Sequence, residues 1–134
     1  MLKVEEAHGV TEALSSFASS LAFEDLPSGV IDWTKYLFLD FVGVTIAGSR
    51  TPAAQTLINL IGRLGRLGPS VVIGTPHRAL PEWAAMANGA SSHGVEMSDT
   101  DTEGSVHPGE VIFPATLACA DFATVDGKSL IVAA

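Results

Sequence analysis

The sequence predicts an all-α fold with at most one short β segment. Three observations carry that expectation. Apolar residues recur at helical spacing through most of the chain, Gly and Pro punctuate the repeats, and Val71-Val72-Ile73 is the one brief β-branched run. At 134 residues the chain is at most one ordinary domain, long enough for a real core. It has no internal repeat and no low-complexity tract.

The elements follow in order. Val10 to Ala22 places Val10, Leu14, Phe17, Ala18 and Leu21 at helical spacing, with Thr11 as the expected cap. Leu26-Pro27-Ser28 interrupts it, and Pro27 suits a first helical turn. A long helix then runs to about Ala47. Val30, Trp33, Leu37, Phe41 and Val44 form its stripe, and Phe38, Val42 and Ile46 widen it, so its later half is expected to be buried all round. Gly48-Ser49 ends it.

A third helix covers Ala53 to about Arg63, with Leu57, Leu60 and Ile61 inward, and GRLGRLGPS is a turn. Val71 to Ile73 is the brief strand, and Gly74 to Leu80 a loop. Pro81 opens a helix written PEWAAMANGASSHGVEM, whose middle is almost all small residues. Gly89 costs such a helix about 1 kcal/mol against Ala, which close packing of a neighbouring backbone would offset. Ser98 to Ser105 is a loop, Pro108-Gly109 leads into a helix from Val111 to Phe122, and a last helix begins at Lys128.

Composition narrows the function classes. The chain is 47% hydrophobic and 16% charged, against about a quarter charged in an ordinary globular protein. Such a chain is expected to hide surface against a second domain, a subunit or a further part of itself. The most apolar run, Tyr36 to Ala47, contains Asp40 and lies between Lys35 and Arg50. A membrane span needs roughly 20 apolar residues, so a buried helix is expected. The net charge is −8 and the bases are scattered, which argues against nucleic acid as a partner. MLKVEEAHGV has no apolar signal core, and the single Cys119 favours a reducing compartment, cytoplasm or mitochondrial matrix. Cys119 itself reads as a core cysteine.

Chemistry is concentrated between Asn88 and Gly109, in NGASSHGVEMSDTDTEGSVHPG. This stretch holds His93, His107, Glu96, Asp99, Asp101 and Glu103 and no Lys or Arg. If the helix persists, His93, Glu96 and Thr100 share a face, and the following loop can return His107 beside it. Imidazole, carboxylate and hydroxyl together make a set that moves protons and orients a substrate. Three other readings fit the same residues. Asp99, Asp101, Glu103, Gly104, Val106 and Glu110 match the positions of a twelve-residue calcium loop over 99–110. His93, Glu96 and His107 or Asp99 make a weaker zinc set, without an HExxH pattern or a cysteine pair. An acidic solvated loop is the plainest alternative.

Several ordered motifs carry a family resemblance. They are LPSGVIDWTKYLFLDFVGVTIAGS, then PSVVIGTPHRALPEWAAMANGASSHGVEMSDT, then SVHPGEVIFPATLACAD, then DGKSLIVAA. From about Val10 onward the chain resembles the N-terminal part of the MmgE/PrpD family, which includes 2-methylcitrate dehydratase, cis-aconitate decarboxylase and iminodisuccinate epimerase. The resemblance implies a helical main domain with a smaller α/β lid outside this stretch, and a homodimer. It implies an enzyme without organic cofactor or metal that acts on small di- or tricarboxylates by dehydration, decarboxylation or epimerisation, moving a proton at carbon next to a carboxylate. It also implies His107 as general acid/base, Glu96 as its carboxylate partner and Thr100 as a donor to substrate oxygen, with Asp99 and His93 in support.

There are departures from the family pattern. Glu96 and Ser98 stand where the family has Asp, while Asp99 and Thr100 keep the ending of the motif. The family's active-site lysines fall outside the chain, and a multiply charged anion needs cationic partners. The terminal apolar run SLIVAA leads to the expectation that residues 1–134 are an incomplete N-terminal portion. A catalytically inactive fragment that acts only through helical association is the alternative function.

Overall fold

A computed structural model of the chain describes residues 9–64 and 67–134. The reading of the first eight residues and the Gly65-Arg66 part of the GRLGRLG turn lie outside them. The described residues form α1 (Val10–Ser20), a short 3-10 turn (Phe23–Asp25), α2 (Ser28–Gly48), α3 (Pro52–Leu64), β1 (Ser70–Val71), β2 (Arg78–Ala79), α4 (Pro81–His93), α5 (Gly109–Ala123) and α6 (Gly127–Ala133). The mostly helical class expected from periodicity is the one observed.

Helix α4 sits at the centre and packs on α5, α2 and α3. Its small residues make this possible: Ala84, Ala87, Ser91 and Ser92 are all buried. Where α2 crosses α4, a Cβ placed on Gly48 would overlap the backbone carbonyl of Ser91. On the other side, a Cβ on Gly89 would lie 3.2 Å from the Glu110 carbonyl oxygen, so α5 also approaches closely, as the Gly89 argument requires. Phe113 of α5 meets Phe38 and Phe41 of α2 at centroid separations of 5.4 and 5.6 Å. Ile58, Ile61 and Val72 join Ala54, Ala79, Ala84 and Ala87 in a second cluster under α3. Each large side chain removed from water there contributes about 1.5–3 kcal/mol.

The brief strand has a partner that the sequence reading placed in a loop. Ser70 pairs with Ala79 and Val71 with Arg78, antiparallel, around a turn in which Gly74 takes φ +78°. Three side chains clamp this ribbon onto the helices. The Asn88 amide accepts from Ile73 N and donates to Val71 O, both at 2.9 Å. Asp121 accepts from Val71 N at 2.8 Å, and the Ser70 hydroxyl donates to Ala118 O at 2.9 Å. Asn88 thus holds the ribbon to the helix, while Gly89 admits the neighbouring backbone, as expected of it.

Four local expectations are corrected. Thr11 does not cap α1; the N-cap is Gly9, without a side-chain bond. Helix α2 is not buried all round: Phe41, Thr45 and Gly48 are buried, whereas Tyr36 and Leu39 lie open, because nothing among the described residues covers that side. In α3 the buried face is Ala54, Ile58 and Ile61, with Leu57 flanking it and Leu60 turned outward. Cys119 is exposed rather than a core residue. No helix among the described residues is long and apolar enough to cross a membrane.

Two helix ends differ in quality. Asp126 caps α6 by accepting from Ser129 N at 2.9 Å, and that backbone N–H holds its carboxyl below the usual aspartate value. Helix α5 ends on Thr124 at φ 55°, a left-handed conformation that a β-branched residue adopts at a cost. Thr124→Gly is expected to raise stability by about 1 kcal/mol, read as a higher urea midpoint at unchanged slope. An unchanged midpoint would mean that the αL strain is absorbed elsewhere.

Candidate functional site

The site forms where the end of α4, the loop 94–108 and the start of α5 meet. The helix does not persist through Met97. It stops at His93, with Gly94 as C-cap, and the chain turns so that Glu96 adopts φ 53°. His93, Glu96 and Thr100 consequently do not share a helical face. The loop instead doubles back through a bridge between Asp101 and Val106, closed by reciprocal backbone bonds of 2.9 and 3.2 Å. Asp101 stabilises the turn by accepting from the N–H groups of Glu103 and Gly104. This fold-back returns His107 to the end of α4, as expected, with its ring centroid 6.3 Å from that of His93.

His107 is oriented by the backbone. Its Nδ1 lies 2.9 Å from the carbonyl oxygen of Asp99. A carbonyl only accepts, so Nδ1 carries the hydrogen and the Nε2 lone pair is left for chemistry. The hydroxyls of Thr100 and Ser98 stand 3.2 and 3.4 Å from the same Nδ1. The Asp99 carboxylate faces the other way and accepts from Gly109 N at 3.1 and 3.2 Å, capping the start of α5. Asp99 thus supports His107 twice: its carbonyl holds the ring, and its carboxylate anchors the helix that follows.

Glu96 stands against His93, not His107: its Oε1 is 3.4 Å from His93 Nε2, and its side chain is 77% exposed. The closer partner of His93 is Glu110, whose Oε2 lies 2.8 Å from Nδ1 and whose side chain is only 10% exposed. The Ser98 hydroxyl donates to the other oxygen of Glu110. Sequence reading had met Glu110 only as the last position of a calcium loop and Ser98 only as a lost carboxylate. A signal existed in that a histidine ending one helix and an acid opening the next can meet when the loop between them folds back, as His93 and Glu110 do here.

The metal readings find no support in this arrangement. Asp99, Asp101 and Glu110 are turned to Gly109, to the turn N–H groups and to His93 respectively. Among the described residues no group of three or more His, Cys, Asp or Glu is gathered as a metal would require. Nor does any Lys or Arg among them pair with the acids of the cluster.

A family model for the MmgE/PrpD N-terminal domain matches residues 12–134. The chain belongs to the MmgE/PrpD family. It is 31% identical over 122 residues to a cis-aconitate decarboxylase of Aspergillus terreus, covering 91% of this chain and 25% of that protein. It is 30% identical over 112 residues to a cis-aconitate decarboxylase-like protein of Aspergillus oryzae, covering 84% of this chain and 23% of that one. To the cis-aconitate decarboxylase of Mus musculus it is 27% identical over 113 residues, again 84% of this chain and 23% of the relative. The chain spans about a quarter of the length of the curated relatives it matches.

Glu96 holds its left-handed backbone at a cost that glycine does not bear. Glu96→Gly is expected to leave stability unchanged or raise it by up to about 1 kcal/mol, while removing the carboxylate from His93. A loss of more than about 1 kcal/mol on denaturation would show that the exposed carboxylate anchors the loop.

Proposed function

We propose that this chain supplies part of the active site of a lyase-type enzyme that works without organic cofactor or metal on small di- or tricarboxylates. Membership of the MmgE/PrpD family and likeness to cis-aconitate decarboxylases support the reaction class. The observation that carries the mechanism is the bond from His107 Nδ1 to the Asp99 carbonyl, which leaves Nε2 as an oriented acid/base.

In this reading neutral His107 takes a proton from carbon next to a substrate carboxylate, or as imidazolium returns one to the carbon from which carbon dioxide has left. Thr100 stands beside it; its hydroxyl donates only weakly, at 3.5 Å, to Ser98 O, and turns to a substrate oxygen. His93 and Glu96 form the opposite wall. The acids around these groups repel an anion, so we propose that cationic side chains from outside residues 88–109 complete the pocket. The reading also has the protein as a homodimer, and the open apolar side chains of Trp33, Tyr36 and Leu39 on α2 support a covered face there.

The test is turnover by the full-length protein of cis-aconitate, 2-methylcitrate and iminodisuccinate, before and after dialysis against a chelator. Activity on at least one acid that survives the chelator is expected. Activity abolished by the chelator and restored by a divalent metal would overturn the metal-free mechanism.

A further inference from the structure

The two histidines are linked by a run of side-chain contacts. His93 Nδ1 donates to Glu110 Oε2 at 2.8 Å, the Ser98 hydroxyl donates to Glu110 Oε1, and Ser98 Oγ lies 3.4 Å from His107 Nδ1. Every donor in this chain of contacts runs toward Glu110, which accepts at both oxygens and donates at neither. It is also the carboxylate of the cluster most withdrawn from solvent among those facing histidine, 10% exposed against 77% for Glu96. A withdrawn carboxylate at the first turn of α5 gains from the helix N-terminus as well.

We propose that Glu110 is a positioning residue that locks the His93 ring and, through the Ser98 hydroxyl, ties it to His107, so that the two imidazoles work as one acid–base unit. The role follows from donor and acceptor counting. Among the described residues His93 is otherwise held only by the exposed Glu96, which would leave its ring free to flip about χ2 and its proton free to sit on either nitrogen. Glu110 fixes Nδ1 as the donor and thereby leaves Nε2 on the Glu96 side of the ring. Ser98 takes its orientation from the same carboxylate, since with its hydrogen committed to Glu110 its lone pairs face His107 Nδ1, whose hydrogen points chiefly at the Asp99 carbonyl and is shared with Ser98 at longer range. A glutamine at 110 has the same shape but one acceptor and one donor group. It satisfies His93 or Ser98, never both as they stand.

This inference rests on the lyase reading for its catalytic consequence but not for its geometry, and the experiment separates the two. Histidine ring nitrogen shifts are recorded by heteronuclear NMR in the full-length protein and in Glu110→Gln and Ser98→Ala, alongside kcat and KM for cis-aconitate. The expected result is a His93 whose Nδ1 carries a hydrogen throughout in the wild type and in only part of the molecules in Glu110→Gln. With it, kcat should fall on the order of ten- to a hundredfold while KM changes by less than about threefold. Ser98→Ala should disturb the His107 signals and leave those of His93 closer to wild type. An unchanged His93 signature in Glu110→Gln overturns the lock. A changed signature with unchanged kcat in an active enzyme overturns the coupling. A protein with no turnover at all refutes the lyase reading, and the ring signals then decide the lock alone.

Discussion

Gly48→Ala is expected to destabilise the domain by about 3 kcal/mol or more, because overpacking is costly where neither side can yield. The added methyl would meet the backbone carbonyl of Ser91, and the Ser91 carbonyl carbon would lie 2.9 Å away. A flexible side chain could move aside; here the obstacle is the main chain of the central helix. Relief requires α2 and α4 to separate, which would also open the contacts of Phe41 with Phe113 and the burial of Thr45 and Ser92. Urea denaturation of the variant measures this as a lowered midpoint. A loss under about 1 kcal/mol, within what ordinary surface changes produce, would show that the two helices are not held at this separation.

The second large effect is chemical. His107→Ala is expected to lower kcat by on the order of a hundredfold or more, the usual contribution of a positioned general acid/base. Stability should change little, because the side chain is exposed and its shortest bond is to the Asp99 carbonyl. Thr100→Val makes a graded companion, since it keeps the shape and removes the hydroxyl 3.2 Å from the ring.

Much of the fold was legible because several helices are stated twice in the sequence, by an apolar pattern and by an end signal. Pro81, the Gly48-Ser49 stop and the Pro108-Gly109 entry to α5 all lie at observed boundaries. Faces were less legible than helices. The α2 stripe is wide enough for burial on all sides, yet burial depends on how many neighbours reach it, and periodicity does not count neighbours. The second strand escaped notice because Arg78-Ala79 is too short to show alternation; only pairing with Ser70-Val71 defines it.

The site was half legible for a related reason. That His107 returns to His93 follows from a short polar loop between two apolar helices. The detailed partners do not, because they depend on where α4 ends. Continuing the helix past Gly94 puts Glu96 and Thr100 on the His93 face; stopping there sends Glu96 to the surface and lets Glu110 take the near side of the ring. Gly94, a natural stop, was the residue to weigh more heavily.

The most direct test of the central claim is proton exchange at substrate carbon. Full-length wild-type protein and His107→Ala are incubated with cis-aconitate in deuterated buffer and followed by proton NMR. The account predicts turnover by the wild type with deuterium incorporated at carbon next to a carboxylate, and a loss of that signal on the order of a hundredfold in the variant. Equal exchange by both proteins, or a wild type that neither turns over nor exchanges any small di- or tricarboxylate, would contradict it.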